Sequence, residues 1–284
     1  MGVREGTLTL VHLSDLHCVE TDDGECIQNR FEFGDLRPNE WAIHTINVIQ
    51  AQLPEAFVVI TGDVTNSGTK SQMKRAAELF APVADRTLMV PGNHDKNPVG
   101  QGLLGALKRF SDPRGDEWWR LFGPATCKWL DDDQSVFQFR ACDHVVIYGI
   151  DSTRGSEKTW AQGEVSDSQL DALATNLVRS RRQGLRTVIA MHHHPFIAEG
   201  LPTELVNADR FRRRIKGLAD LVLFGHKHNE MASHRDNTLF VASHANPIAQ
   251  FPKEGLEPSD PGQHGFRVLT IPRTGDIEWH WHTY

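Results

Sequence analysis

The stretch 188–196, VIAMHHHPF, constrains the fold more than any other part of the chain. Its apolar start reads as a short buried strand, and the proline cannot extend it. Three histidines therefore stand at the end of a core strand, where they are costly to desolvate unless something pairs with them. In open α/β sheets that end is also where ligands bind. A hydrogen bond inside the core would explain one such histidine. Three of them, in a chain with fifteen histidines and two tyrosines, point to metal chemistry once other strand ends carry similar residues.

They do. Thr7–Leu13 reads as a strand that runs into Ser14-Asp15-Leu16-His17. Asp15 and His17 stand two apart, so on an extended strand they would share a face. Phe57–Thr61 leads into Gly62-Asp63, Thr87–Val90 into Gly92-Asn93-His94-Asp95, and 220–224 into Gly225-His226-Lys227-His228. Helices are expected over 40–52, 69–84, 166–182 and 203–216. Ser166 and Gln169 form a capping box for the third of these. Strand, polar tip, helix, strand is the rhythm of βαβ units with a parallel sheet. Additional strands are expected over 136–139, 144–150 and 238–242. A short helix is expected over 103–110, and Trp118, Trp119, Leu121 and Phe122 should pack on the core. The chain should finish as a strand pair within 266–284, its second strand packed on the core. Residues 18–39 and 251–265 read as long loops. With no repeat and no linker, 1–284 reads as a single domain.

Composition narrows the function. The formal charge of −7 argues against a nucleic-acid-coating or anionic-membrane surface, which would need a basic excess. No apolar run approaches the roughly 20 residues that cross a bilayer. The start lacks the apolar segment of a signal peptide. The four cysteines show neither CxxC spacing nor a dense framework, which suits free thiols in a reducing cytoplasm.

Together the strand tips supply Asp15, His17, Asp63, Asn93, His94, His192, His226 and His228. Oxygen and imidazole donors without thiolates suit Mn, Fe, Zn or Co. They are too many for one ion. A carboxylate among them can bridge two, which points to a dinuclear centre with metals roughly 3.5 to 4 Å apart. The order of these motifs resembles that of the calcineurin-like metallophosphoesterase superfamily, from about residue 7 to 245. The resemblance implies an α/β fold, a four-layer α/β/β/α sandwich of two mixed sheets flanked by helices. It also implies that Asp15, His17 and His228 hold one metal, and that Asn93, His192 and His226 hold the other. Asp63 would bridge them, and His94 would stand beside the phosphate as the catalytic histidine. Spacing alone does not choose among His192, His193 and His194. His192 is preferred because it ends the strand directly and because bacterial cyclic-nucleotide phosphodiesterases of this superfamily carry a similar HHHP stretch. His193 and His194 would then face the substrate or support the ligands. Asp95 either orients His94 or caps the following turn.

The implied reaction is in-line attack on phosphorus by a hydroxide shared between the two metals, with Asp63 and His94 as the catalytic residues and Asn93 and His94 on the phosphate. Protein phosphatases of the superfamily carry GDxVDRG, whereas this chain has Asn66 and Ser67 at the Asp and Arg positions. The set is nearer the class III cyclic-nucleotide and glycerophosphodiester branch. A small phosphodiester, such as a 3',5'-cyclic nucleotide, is therefore the expected substrate. Phosphomonoesters or nucleotide pyrophosphates are the alternative, and a non-catalytic scaffold is the reading from another class. His244 is a further substrate contact or a surface residue. A small phosphorylated partner is expected, with neither membrane nor nucleic-acid polymer, and the homo-oligomeric state stays open.

Overall fold

A computed structural model of the chain describes residues 6–21, 37–96, 114–123, 127–153, 162–196, 205–228, 231–243 and 265–283. The expected helix at 103–110, most of both long loops, Cys26 and His244 lie outside them.

The first half builds one sheet and the helices over it. β1 (Thr7–Leu13) is followed by α1 (Pro38–Gln52), β2 (Phe57–Thr61), α2 (Lys70–Phe80), a 3-10 turn (Ala81–Arg86) and β3 (Thr87–Val90). A short α3 (Asn93–Lys96) and α4 (Arg114–Phe122) come next. β1, β2 and β3 lie parallel, in register Val11 with Val58 and Val59 with Leu88. Thr69 caps α2 by accepting the Gln72 N–H, which fixes where that helix begins.

The second half builds the other sheet. β4 (Lys128–Trp129), β5 (Val136–Arg140) and β6 (Val145–Ile150) precede α5 (Asp167–Arg182), with the Ser166–Gln169 capping box in place. β7 (Arg186–Ala190), α6 (Ala208–Ile215), β8 (Leu221–Phe224), β9 (Met231–Arg235) and β10 (Thr238–Ala242) follow. β11 (Gly265–Pro272) then returns to the first sheet beside β1, and β12 (Glu278–Thr283) closes its edge. The sheet orders are β12-β11-β1-β2-β3 and β4-β5-β6-β7-β8-β10-β9. Both are mixed: antiparallel strands border the parallel set on one side in the first sheet, beyond β1, and on both sides in the second.

The central strands are buried on both faces, which is why they read as nearly continuous apolar runs. On β2, Val58 and Ile60 pack outward with α1, α2 and Trp118, while Phe57 and Val59 pack inward. The inward set meets Ile147, Val188, Leu221 and Leu223 from the other sheet. On the far side, Val146, Tyr148 and Ile189 pack with Leu170, Leu173 and Phe211 of α5 and α6. This is the four-layer α/β/β/α arrangement. Full burial of one such Val or Leu contributes about 1.5–3 kcal/mol.

Three local expectations change. The fourth helix begins at Ala208, not at 203. Leu205 is bridged to Gly163, and the Asn207 side chain pairs with both the N–H and the C=O of Val165, which holds the chain out of helix until that point. β4 and β9 are short or polar edge strands whose sequences carry no core pattern. β12 is an edge strand with Trp279 exposed. Arg267 of β11 lies against the rings of Trp279 and Trp281, in place of an apolar core.

Candidate metal centre

The parallel strands of each sheet end at the same side, and their tips meet there. Asp15, His17 and His228 converge on one point, and Asp63, His192 and His226 on another. A third group, His17, Asp63 and His94, links the two. Asp63 therefore stands between the clusters.

The first two clusters have the geometry of electron-pair donors around a cation. His17 Nε2 lies 3.2 Å from His228 Nε2, which is 3.3 Å from Asp15 Oδ1. His192 Nε2 lies 3.1 Å from His226 Nδ1, 3.1 Å from Asn93 Oδ1 and 3.3 Å from Asp63 Oδ2. Bonds of about 2.0–2.1 Å to a metal would separate neighbouring ligand atoms by about 3.0 Å in an octahedral shell or 3.4 Å in a tetrahedral one. The residues present therefore fit metal ions.

Hydrogen bonds orient the donors. The His192 Nδ1–H donates to the Thr61 carbonyl at 2.7 Å, so Nε2 presents its lone pair to Asp63 and His226. A carbonyl partner of this kind is the usual support of a metal-bound histidine. The Asp15 carboxylate accepts the main-chain N–H of His226, and Asp63 Oδ1 accepts that of His94. His94 donates its Nδ1–H to the Asn66 carbonyl at 2.7 Å, so Nε2 is the nitrogen left for the site.

Charge is arranged to match. Burial would raise the Asp63 carboxyl, but His192 and His94 outweigh it and hold it well below the usual range. Asp15 is likewise held down, against its burial, by His228. Burial alone would lower His192, yet Asp63 lifts it to about 9. The field that favours a proton on His192 favours a metal cation in its place. Burial and a neighbouring histidine push His226 down to about 3, and His17 is lowered for the same reasons. Both rings are thereby kept neutral, as ligation requires.

The convergence of Asp15 with His17 has a different origin from the shared strand face expected of residues two apart. β1 ends at Leu13, and Asp15 and His17 both have positive φ, at 55° and 50°. So do Asp63, His226 and His228, at 50°, 75° and 49°. Left-handed backbone is uncommon for residues other than glycine, and such outliers cluster where function holds them. Each tip is a tight turn that swings its side chain inward. The glycines before them allow close approach. A methyl at Gly225 would strike Ser14 and Asp15, and one at Gly92 would strike the Asp63 carboxylate and main-chain N. Gly92→Ala is therefore expected to cost about 1–3 kcal/mol of stability. It should also release metal, which thermal denaturation with elemental analysis would read together.

Asp95 does not touch His94 in the hydrogen-bond network. Its carboxylate accepts the N–H groups of Gly92, Val64 and Thr65 and the Thr65 hydroxyl, so it ties the Asp63 loop to the Asn93 loop. Burial and the Asp63 charge raise it to about 7. His193 is fully buried beside Ser152, with Nδ1 2.8 Å from its hydroxyl and its ring against His226. His194 packs on Phe196 and Phe224. Neither belongs to the donor groups. Two supports had no sequence signal. The Thr61 and Asn66 acceptors are main-chain carbonyls, and the ion pair between Lys96 and buried Asp151 joins residues 55 apart.

This fold and this centre define a class of metal-dependent phosphoric ester hydrolases. Residues 8–230 match the calcineurin-like phosphoesterase family, to which the chain belongs. It is 22% identical to the 3',5'-cyclic adenosine monophosphate phosphodiesterase of Vibrio vulnificus, over 97% of this chain and 89% of that protein. It is 25% identical to the similarly named protein of Haemophilus influenzae, over 81% of this chain and 75% of the other. A solved dimetal phosphatase from Danio rerio shares the fold, with a TM-score of 0.58 at 15% identity over 96% of this chain and 98% of that one. Among the described residues no helix is long and apolar enough to cross a membrane.

Proposed function

We propose that this chain is a two-metal phosphodiesterase acting on a small diester of the 3',5'-cyclic nucleotide kind. The observation that carries the reading is the position of Asp63, in reach of His17 and His94 on one side and of His192 and His226 on the other. Asp15, His17 and His228 would hold one divalent ion, Asn93, His192 and His226 the second, and Asp63 both. Such ions neutralise phosphoryl oxygens and bring the pKa of bound water from 15.7 towards about 7. His94, anchored through Nδ1 to Asn66, presents Nε2 to stabilise charge or protonate the leaving oxygen. Asn93, whose Oδ1 lies 3.1 Å from His192 Nε2, would add an amide oxygen to the second ion. The reading takes 1–284 as one domain. It places the chain in a reducing cytoplasm, in keeping with Cys18, Cys127 and Cys142, which form no disulfide among the described residues.

Two features favour a diester over a monoester. Ser67 stands where the protein phosphatases place an arginine. A diester carries one negative charge fewer than a monoester dianion, so it needs less cationic grip. The relatives named as cyclic-nucleotide phosphodiesterases also support it. With Mn²⁺ added, turnover of bis(p-nitrophenyl) phosphate should exceed that of p-nitrophenyl phosphate. A panel of cyclic nucleotides, glycerophosphodiesters and dinucleotides should then place a cyclic nucleotide first. A strong monoester preference would defeat the diesterase reading, and no turnover of any ester would favour a scaffold.

A further inference from the structure

Outside this centre, the described residues hold one more convergence of metal-type donors, Cys142, Asp143 and His144 in the turn between β5 and β6. His144 is buried, and its Nε2–H donates to the Ile271 carbonyl of β11 at 3.1 Å. In the neutral ring its Nδ1 then carries the lone pair. That nitrogen lies 2.9 Å from Asp143 Oδ1 and 3.3 Å from Cys142 Sγ. A lone pair facing a carboxylate oxygen at that distance is repelled unless a proton or a cation stands between them. The thiol proton can satisfy the nitrogen but leaves the carboxylate opposed. A divalent transition metal satisfies all three.

We propose that Cys142 Sγ, Asp143 Oδ1 and His144 Nδ1 form a second, zinc-type site with an open fourth position. Tetrahedral zinc bonds of about 2.3 Å to sulfur and 2.0–2.1 Å to nitrogen or oxygen put N and O about 3.4 Å apart and S and N about 3.6 Å apart, so the 2.9 Å and 3.3 Å separations here would open by about 0.3–0.5 Å on binding. The thiolate selects zinc or cobalt over manganese or magnesium. The turn is held in shape. Arg140 donates to the Cys142 and Asp143 carbonyls, Arg273 takes the other Asp143 oxygen, and Ile271 sets the tautomer. Ile271 pairs with Leu8 at the start of β1, whereas Asp15 follows its end. The site thus lies at the opposite end of the strands from the centre, where the β5–β6 turn leans on the other sheet. A metal there would stiffen the β5–β6 turn, which already contacts β11 through His144, without meeting the substrate.

The proposed ligands of the phosphoesterase centre include no sulfur, which gives a clean readout. With that centre loaded with Mn²⁺, titration with Co²⁺ should raise a near-ultraviolet sulfur-to-cobalt absorption. Cys142→Ser should abolish the band and remove one metal equivalent, with turnover unchanged. Asp143→Asn, at an exposed position, should weaken Co²⁺ binding at least about tenfold. No band in the parent protein, or an equal band in Cys142→Ser, would overturn the proposal and leave His144 as an imidazolium paired with Asp143.

Discussion

Asp63→Ala is expected to strip most of the bound metal and to lower diester turnover on the order of 10³-fold or more. Losing one charge-stabilising donor typically costs 10² to 10³, and this carboxylate reaches both donor clusters. It also accepts the His94 N–H, so its loss frees the turn that presents that histidine. His192 would lose the carboxylate 3.3 Å from its Nε2 that favours a cation there. Alanine tolerates the left-handed backbone at this position poorly, which could confuse charge with folding. Asp63→Asn separates the two. Asparagine accepts that backbone, but its neutral amide cannot hold two cations, so metal should still be lost. Elemental analysis after gel filtration is the check, and two metals retained per chain would sink the shared-ligand assignment.

His94→Ala should behave differently. Metal content is expected to stay at the parental value, because the two donor clusters are complete without this ring. Turnover should fall by roughly 10² to 10⁴, the usual worth of a positioned proton donor. The loss should be larger for a cyclic nucleotide, whose leaving alkoxide needs a proton, than for a p-nitrophenyl diester, whose leaving phenolate does not. Equal losses on both would assign His94 to charge stabilisation. An unchanged kcat with the cyclic nucleotide would remove it from the reaction.

Much of the centre was legible in the chain because water is expensive to exclude from polar groups. A buried strand such as Phe57–Thr61 cannot end in an unpaired carboxylate without cost, so each polar tip announced a partner. The apolar runs on both sides of each tip also announced strands covered on both faces. β4 and β9 carry no signal in the sequence because edge strands need no core pattern. The helix expected at 203–216 begins only at Ala208 because Asn207 pairs with Val165, a residue far away in sequence. The roles of Asp95 and the Lys96–Asp151 pair were hidden for the same reason, since their partners come from other loops and strands.

The histidine run at 192–194 divides the two kinds of knowledge. Residue order and hydrophobic pattern by themselves determined that histidines must stand at the end of a core strand, among other tips rich in oxygen and imidazole. Only the tertiary structure decided which ring enters the cluster. His192 does so because the Thr61 carbonyl from the neighbouring sheet accepts its Nδ1–H and turns Nε2 inward, while Ser152 engages Nδ1 of His193 and the Phe196–Phe224 pair packs on the His194 ring. Those partners are a carbonyl and side chains brought close by packing. Local spacing does not encode them, and the left-handed turns that complete the centre depend on the same contacts.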